Sequence, residues 1–269
     1  MPRLSLLFRL PSKLRRRARR SRMLTLLLLM LLVFLVIYPF YAIYKPPKLL
    51  ISYFRRRWPD VLWEIDVPRG RKVIALTIDD APSEHTNAIL KVLEENDARA
   101  TFFVIGGQVD GREDVLAKMA SRGMELANHA MHDRPARELP VEQLQREILQ
   151  VESKINLAYS TAGIPRATNQ RFYRPGSGLF NDAMRALMKK LGYRLALGSV
   201  YPHDPQVPYP WLNARHILSM VRPGAVVICH DRRPWTVPML KKVLPKLKRD
   251  GWEVVTLGEL LEIGKKASR

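Results

Sequence analysis

Cysteine occurs once in the 269 residues, at Cys229. A single thiol excludes an intrachain disulfide, so an oxidising compartment is permitted but not indicated. The residue sits in an apolar run that precedes His230, where it reads as packing rather than as a nucleophile. Acidic residues are missing altogether from residues 1 to 57. That absence locates the formal charge of +20, whose excess is concentrated in an N-terminal segment and is not the signature of a nucleic-acid surface. Beyond an arginine-rich arm there are no long internal repeats and no low-complexity tracts.

In place of acids, the N-terminal segment carries Lys13 and the run Arg15-Arg16-Arg17-Ala18-Arg19-Arg20-Ser21-Arg22, followed by Met23 to Tyr44, almost wholly apolar. A stretch of this length matches the roughly 20 residues needed to cross the hydrocarbon core of a bilayer. Tyr38, Tyr41 and Tyr44 are placed for an interfacial belt, and Pro39 is expected to kink or end the helix. The run is long for a cleaved signal peptide, and no small-x-small cleavage pattern follows it, so an uncleaved anchor is the expectation. Lys45, Lys48 and Arg55 to Arg57 follow the span, but the heavier cluster precedes it and assigns the arm to the cytosol. The reading is a basic cytoplasmic arm over 1–22, a transmembrane signal anchor over 23–44 and a juxtamembrane linker over 45–70, with the domain beyond it lumenal or extracellular. Anionic lipid headgroups are the expected partners of the basic residues, and no nucleic acid is expected. Prolines at 46, 47, 59 and 68 make the linker a semi-extended stalk. Its Trp58 and Trp63 either touch the membrane surface or cap the underside of the domain.

Four short segments in the remaining chain carry potential chemistry. Leu76-Thr77-Ile78-Asp79-Asp80-Ala81-Pro82 is a strand-like run that ends on two carboxylates and breaks at a proline. Adjacent strand residues point to opposite faces, but at a strand end the chain turns and both can reach one cavity. Two close like charges call for a cation, such as a metal ion or an arginine; the alternative is a solvated turn. Glu125-Leu126-Ala127-Asn128-His129-Ala130-Met131-His132-Asp133 holds three potential ligands in five residues, and His129 pairs with either His132 or Asp133 around one ion. Imidazole and carboxylate suit zinc or a similar first-row divalent metal. Gly224 to Asp231 is an apolar run ending in His230, and Arg174 stands before the turn Pro175-Gly176-Ser177-Gly178. The alternatives for Arg174, His230 and Asp204 are a surface ion pair, a core histidine and a turn cap.

Taken in order, these segments resemble the polysaccharide deacetylases, the NodB-homology domain of carbohydrate esterase family four. Thr77 to Pro82 is similar to the family's first motif, Arg174 to Gly178 to its third, and Val226 to Asp231 to its fifth. The resemblance spans roughly residues 71 to 262. The second motif departs from the pattern, because the residue four after His129 is Asp133 and His132 arrives one position early. Ala81 stands where the family has glycine, implying that this turn position does not need positive φ. The fourth motif is reduced to Ser199 to Asp204. The resemblance implies metal-assisted hydrolysis of an N-acetyl amide. Asp80, His129 and Asp133, with His132 as the alternative to Asp133, would hold a divalent ion, zinc first and cobalt or a similar ion next. Asp79 would be the general base, Arg174 its counter-charge, His230 the general acid and Asp204 the residue orienting it, with a backbone N–H of the Gly176 turn at the oxyanion.

Independently of that resemblance, apolar strands and amphipathic helices alternate. Strands are expected at 72–79, 99–105, 125–129, 171–174, 193–200, 224–230 and 252–257, and helices at 84–96, 113–122, 141–159, 181–191, 214–221 and 237–248. Alternation of this kind implies a mostly parallel sheet in an α/β domain, set here at residues 71–266. It fits the distorted (β/α) barrel that the resemblance implies. The Tyr201–Trp211 loop, rich in proline and aromatics, reads either as a wall for a sugar ring or as packing over the domain edge. The function expected is N-deacetylation of amino sugars in a glycan, such as a chitin-like polymer, releasing acetate. The alternatives are a non-catalytic carbohydrate-binding membrane protein and a metal-dependent hydrolase of another amide or ester. Nothing in the sequence fixes an oligomeric state.

Overall fold

The computed structural model describes residues 12–166 and 171–267, and the chain divides into two units, Met1–Lys45 and Pro46–Arg269. The first is a single helix, α1 (Ser12–Tyr44), which carries Pro39 inside it without ending there. Its stretch Arg19–Tyr44 is long and apolar enough to cross a membrane, and none of it is buried. The first eleven residues of the expected basic arm lie outside the described residues.

The second unit begins earlier than the strand-helix alternation indicates. Its elements are α2 (Lys48–Arg57), β1 (Val61–Leu62), β2 (Val73–Ala81), α3 (Thr86–Glu95), β3 (Ala100–Val104), α4 (Glu113–Ser121), β4 (Glu125–Asn128), α5 (Val141–Thr161), β5 (Phe172–Tyr173), α6 (Asp182–Leu191), β6 (Arg194–Ala196), α7 (Pro210–Met220), β7 (Val226–His230), α8 (Thr236–Arg249), β8 (Glu253–Val255) and α9 (Leu257–Ala267). The expected semi-extended stalk is therefore corrected: α2 and β1 occupy that stretch, and Ile51, Val61, Leu62 and Ile65 are buried. The prolines misled because Pro47 sits at the N-cap of α2 with φ −66°, a place where a missing N–H costs nothing. The last helix, α9, also went unforeseen, and α7 starts at Pro210 rather than Ala214.

Every strand pairing is parallel, in the order β1-β6-β5-β4-β3-β2-β7, with β8 also paired to β2. Single bridges, Glu64 to Ala225 and Val200 to Val227, draw the two ends together, so the sheet curls into the distorted barrel expected. Strand periodicity then sorts the side chains. Val73 and Ala75 of β2, Phe103, Ala127, Phe172 and Val226 pack in one interior cluster. Ile74, Leu76, Ile78, Phe102, Leu126, Val227 and Cys229 point the other way, into the layer beneath the helices. Cys229 is thus fully buried packing. Each large apolar side chain so buried contributes about 1.5–3 kcal/mol relative to exposure. Continuing the interior phase by steps of two from these residues reaches Asp79, His129, Arg174 and His230 at the C-terminal edge, where open and barrel-like parallel sheets collect their chemistry.

Candidate active site

Asp79 follows the inward phase of β2, whereas Asp80 is one residue out of phase. The pairing of β2 with β3 slips between Ile78 and Ala81, and Asp80 takes φ +64°. This bulge turns both carboxylates to the same cavity, with only 3 % and 2 % of each residue exposed. The left-handed residue is Asp80, one of the few types that tolerates that region. Positive φ is absent at Ala81, in agreement with the alanine found there.

The two carboxylates are held differently. Arg174 is 2 % exposed and its Nη1 ion-pairs with Asp79 Oδ1. The same nitrogen donates to Thr77 Oγ1 at 2.8 Å, Nε donates to the Ala196 carbonyl at 2.9 Å and Nη2 to the Leu197 carbonyl at 3.3 Å. Thr77 in turn donates to the Val227 carbonyl at 2.7 Å. The guanidinium also lies 4.0 Å above the Phe103 ring. A buried charge needs such saturation, because an unpaired ion in the interior costs several kcal/mol. Among the described residues Asp80 has no equivalent partner, Arg233 standing 3.7 Å away. Burial pushes its carboxyl up from the usual range, with the charges of Asp133 and Asp79 adding to the rise against the pull of His129 and His230.

His129 Nδ1 donates to the Arg174 carbonyl at 2.6 Å, because a carbonyl only accepts. That bond fixes the tautomer and leaves the Nε2 lone pair facing Asp80 Oδ1 at 3.8 Å. Asp133 completes the group: ligand atoms of Asp80, His129 and Asp133 all lie within 4.8 Å of one another. His132 is not brought to them. It is exposed and lies over Gly107, whose added Cβ would stand 3.5 Å from His132 Nδ1. Two carboxylates and an oriented imidazole, with the inner two buried, are a donor set that fits zinc or a similar divalent ion. Close approach of the loop bearing Asp133 depends on Gly176, since a Cβ there would meet the Arg134 carbonyl at 2.2 Å.

Opposite this group, His230 Nδ1 donates to Asp204 Oδ1 at 3.0 Å, and the His230 backbone N–H to Asp204 Oδ2 at 2.7 Å. Asp204 is fully buried, and its carbonyl accepts from Trp235 Nε1 at 2.8 Å. His230 Nε2 faces Asp79 Oδ2 at 3.9 Å. Burial alone would lower the imidazole, but the Asp204 charge and hydrogen bond, with Asp79 and Asp80 behind them, raise it to about 9. Asp79, Asp80, His129, Asp133, Arg174 and His230 line one cavity of about 630 Å³, while Asp204 stands behind His230.

Several residues at the site escaped the sequence reading. Asp231 is fully buried, accepts from Ser83 Oγ at 2.6 Å and from Thr86 Oγ1, and its N–H donates to the Asp79 carbonyl at 2.8 Å. It braces the turn that follows the paired aspartates. Ser83 and Thr86, three apart after a proline, were the available signal. Arg233 reaches Asp80 Oδ2 at 3.7 Å, with nothing in its local sequence to mark it. Trp63 lines the cavity within an aromatic cluster of Phe54, Trp58 and Phe180, which corrects its expected place at the membrane surface or the underside. Tyr201 also lines the cavity, edge-on to His230 at 5.8 Å, whereas Tyr209 and Trp211 are more than half exposed.

Comparison with known proteins gives the family. Residues 66–196 match the family model described as polysaccharide deacetylase. The chain is 32% identical over 211 residues to a peptidoglycan-N-acetylglucosamine deacetylase of Bacillus cereus, covering 75% of this chain and 92% of the relative. It is 31% identical over 222 residues to a chitooligosaccharide deacetylase of a Bradyrhizobium species, covering 77% and 95%. The solved structure of the peptidoglycan deacetylase PdaC from Bacillus subtilis superposes with a TM-score of 0.67 at 28% identity, over 74% of this chain and 94% of that one. The chain belongs to the polysaccharide deacetylase family of hydrolases.

Proposed function

We propose that this protein is a membrane-anchored, metal-dependent N-deacetylase that releases acetate from N-acetylated amino sugars in a glycan. The observation that carries the reading is the convergence in one cavity of an arginine-paired aspartate, an Asp-His-Asp donor set and an aspartate-paired histidine. Asp80, His129 and Asp133 would hold the ion, zinc first and cobalt as the near alternative. When bound, such an ion lowers the pKa of a water toward about 7 and polarises the acetyl carbonyl. Asp79 takes the proton released by the attacking water, and Arg174, ion-paired with it, holds it aimed. His230, protonated and held through Nδ1 by Asp204, delivers the Nε2 proton to the departing nitrogen as the C–N bond breaks. An amine then leaves in place of an amide anion, and the acyl group departs as acetate. A backbone N–H of the Gly176 turn would share the oxyanion.

The stretch Arg19–Tyr44 of α1 is long and apolar enough to cross a membrane, and lipid is the solvent that suits it. With the basic run on its N-terminal side, α1 serves as a signal anchor that leaves the arm cytosolic and the enzyme lumenal or extracellular. A second reading, a glycan-binding protein without turnover, draws on the carboxylate Asp133 standing where the family has histidine. Acetate release from N-acetylglucosamine oligomers by the full chain in detergent, with and without chelator and added zinc, tests both. Zinc-dependent release is expected. Folded, zinc-loaded protein that binds these oligomers and releases no acetate from any acetylated glycan would sink the first reading and favour the second.

A further inference from the structure

Arg233 is a cation of this cavity that the proposed chemistry does not use. It lies three residues past His230 and lines the cavity, with 25 % of its side chain exposed. Its Nε is buried and meets no hydrogen-bond acceptor among the described residues. Its ion-pair partner among them is Asp80, at 3.7 Å, too long for a hydrogen bond. The other arginines of the cavity are committed. Arg174 is saturated by Asp79, Thr77 and two carbonyls, and Arg134 ion-pairs with Glu147.

The consequence follows if the Asp-His-Asp group holds a divalent ion, and so rests on the function proposed above. Two carboxylates balance the ion, and Asp80 then has no charge left for Arg233. A guanidinium with an unused fork remains in a partly desolvated cavity, next to where the acetamide must sit. Guanidinium groups favour carboxylates, which match the fork with two parallel hydrogen bonds. We propose that Arg233 forms an anion subsite, and that the glycan filling the cavity carries a carboxylate beside its acetamido group. Such a carboxylate comes either from an acidic ether on the same ring, a few bonds from the acetamide nitrogen, or from a uronic acid on the neighbouring ring. A neutral chitin-like chain would leave Arg233 unpaired.

The test measures equilibrium binding to the zinc-loaded full chain in detergent, so that it is read without turnover. The probes are chitobiose against N-acetylglucosaminyl-N-acetylmuramic acid, which carries the ether carboxylate, and chitotetraose against a hyaluronan tetrasaccharide, which carries uronates. At least one acidic probe is expected to bind about tenfold more tightly than its neutral match at low salt, with the advantage shrinking as ionic strength rises. Which pair shows the effect identifies the source of the carboxylate. Arg233→Gln should weaken the acidic probe about tenfold more than the neutral one, and Arg233→Lys should retain part of the preference. Zinc content of both variants is measured alongside, and should either lose its ion, the wild-type preference and its salt dependence decide. Equal or weaker binding of both acidic probes by the wild type overturns the proposal. So does an equal loss on acidic and neutral probes in zinc-replete Arg233→Gln, which would assign Arg233 to Asp80 or to the reacting carbonyl. An acidic preference without acetate release would instead sink the deacetylase reading and leave the subsite standing.

Discussion

Asp79 and Asp80 share a chain position in all but one residue, yet their surroundings divide them. One is paired inside the protein with Arg174, and the other is left, buried and with its carboxyl raised, for a cation from outside. With the Asp80 carboxyl raised by burial, protons compete with a bound ion there, so zinc affinity is expected to fall as pH is lowered. The third donor is tested separately. Asp133→Ala should weaken zinc by more than about 100-fold, since losing a mere outer-shell partner costs about 10- to 100-fold, and His132→Ala should leave zinc content unchanged. Equal retention in both variants, measured by metal analysis after dialysis, would remove Asp133 from the donor set. At His230 the sign is opposite. A histidine raised to about 9 stays protonated through neutral pH, and an acid role is lost as pH rises through that value. Asp204 is the leading cause of the rise, so Asp204→Asn should shift the alkaline limb of kcat downward by about 1 unit or more. A limb that does not move would show that another group sets it.

At the scale of elements, the site is built by departures from regular structure on a regular frame. Parallel strands deliver Asp79, His129, Arg174 and His230 by alternation alone. Asp80 needs the bulge at the end of β2, and Asp133 needs the 130–134 loop to press on the turn after β5. Gly176 makes that approach possible. Gly176→Ala places a Cβ 2.2 Å from the Arg134 carbonyl, an overpacking expected to cost about 1–3 kcal/mol. Thermal unfolding should register it as a fall of several degrees, and zinc titration as weaker binding, because Asp133 adjoins the displaced residue. A variant with wild-type melting and zinc affinity would show that the loop yields without consequence. The bulge was only partly legible beforehand. Two acids before Ala-Pro mark a strand end, but nothing in Leu76 to Pro82 says which residue takes positive φ.

For the whole molecule, the boundary between the apolar helix and the folded unit lies at Lys45 and Pro46 rather than near residue 70. α2 and β1 belong to the folded unit, with Leu62 1% exposed and β1 paired to β6 along Val61 and Leu62. A chain beginning at Arg71 would uncover that edge together with the pockets of Ile51, Leu62 and Ile65. It should be insoluble or unfold without cooperativity, whereas a chain beginning at Pro46 should give a single cooperative transition by calorimetry. Equal stability of the two would place α2 and β1 outside the cooperative unit.

The sequence by itself determined the alternation of strands and helices, the apolar span and the motif residues Asp79, Asp80, His129, Arg174 and His230 that meet in the cavity. These are local matters of periodicity, composition and short motifs, which need no knowledge of distant neighbours. Only the tertiary structure brought Asp133 rather than His132 beside Asp80 and His129, drew Trp63 and Arg233 to the cavity, set Asp231 beneath the aspartate turn and made the expected stalk part of the barrel. Each of these depends on contacts between segments far apart in the chain, as Gly176 with Arg134 and β1 with β6 illustrate. Pairing and packing at that range follow from closing the sheet, which no local pattern encodes.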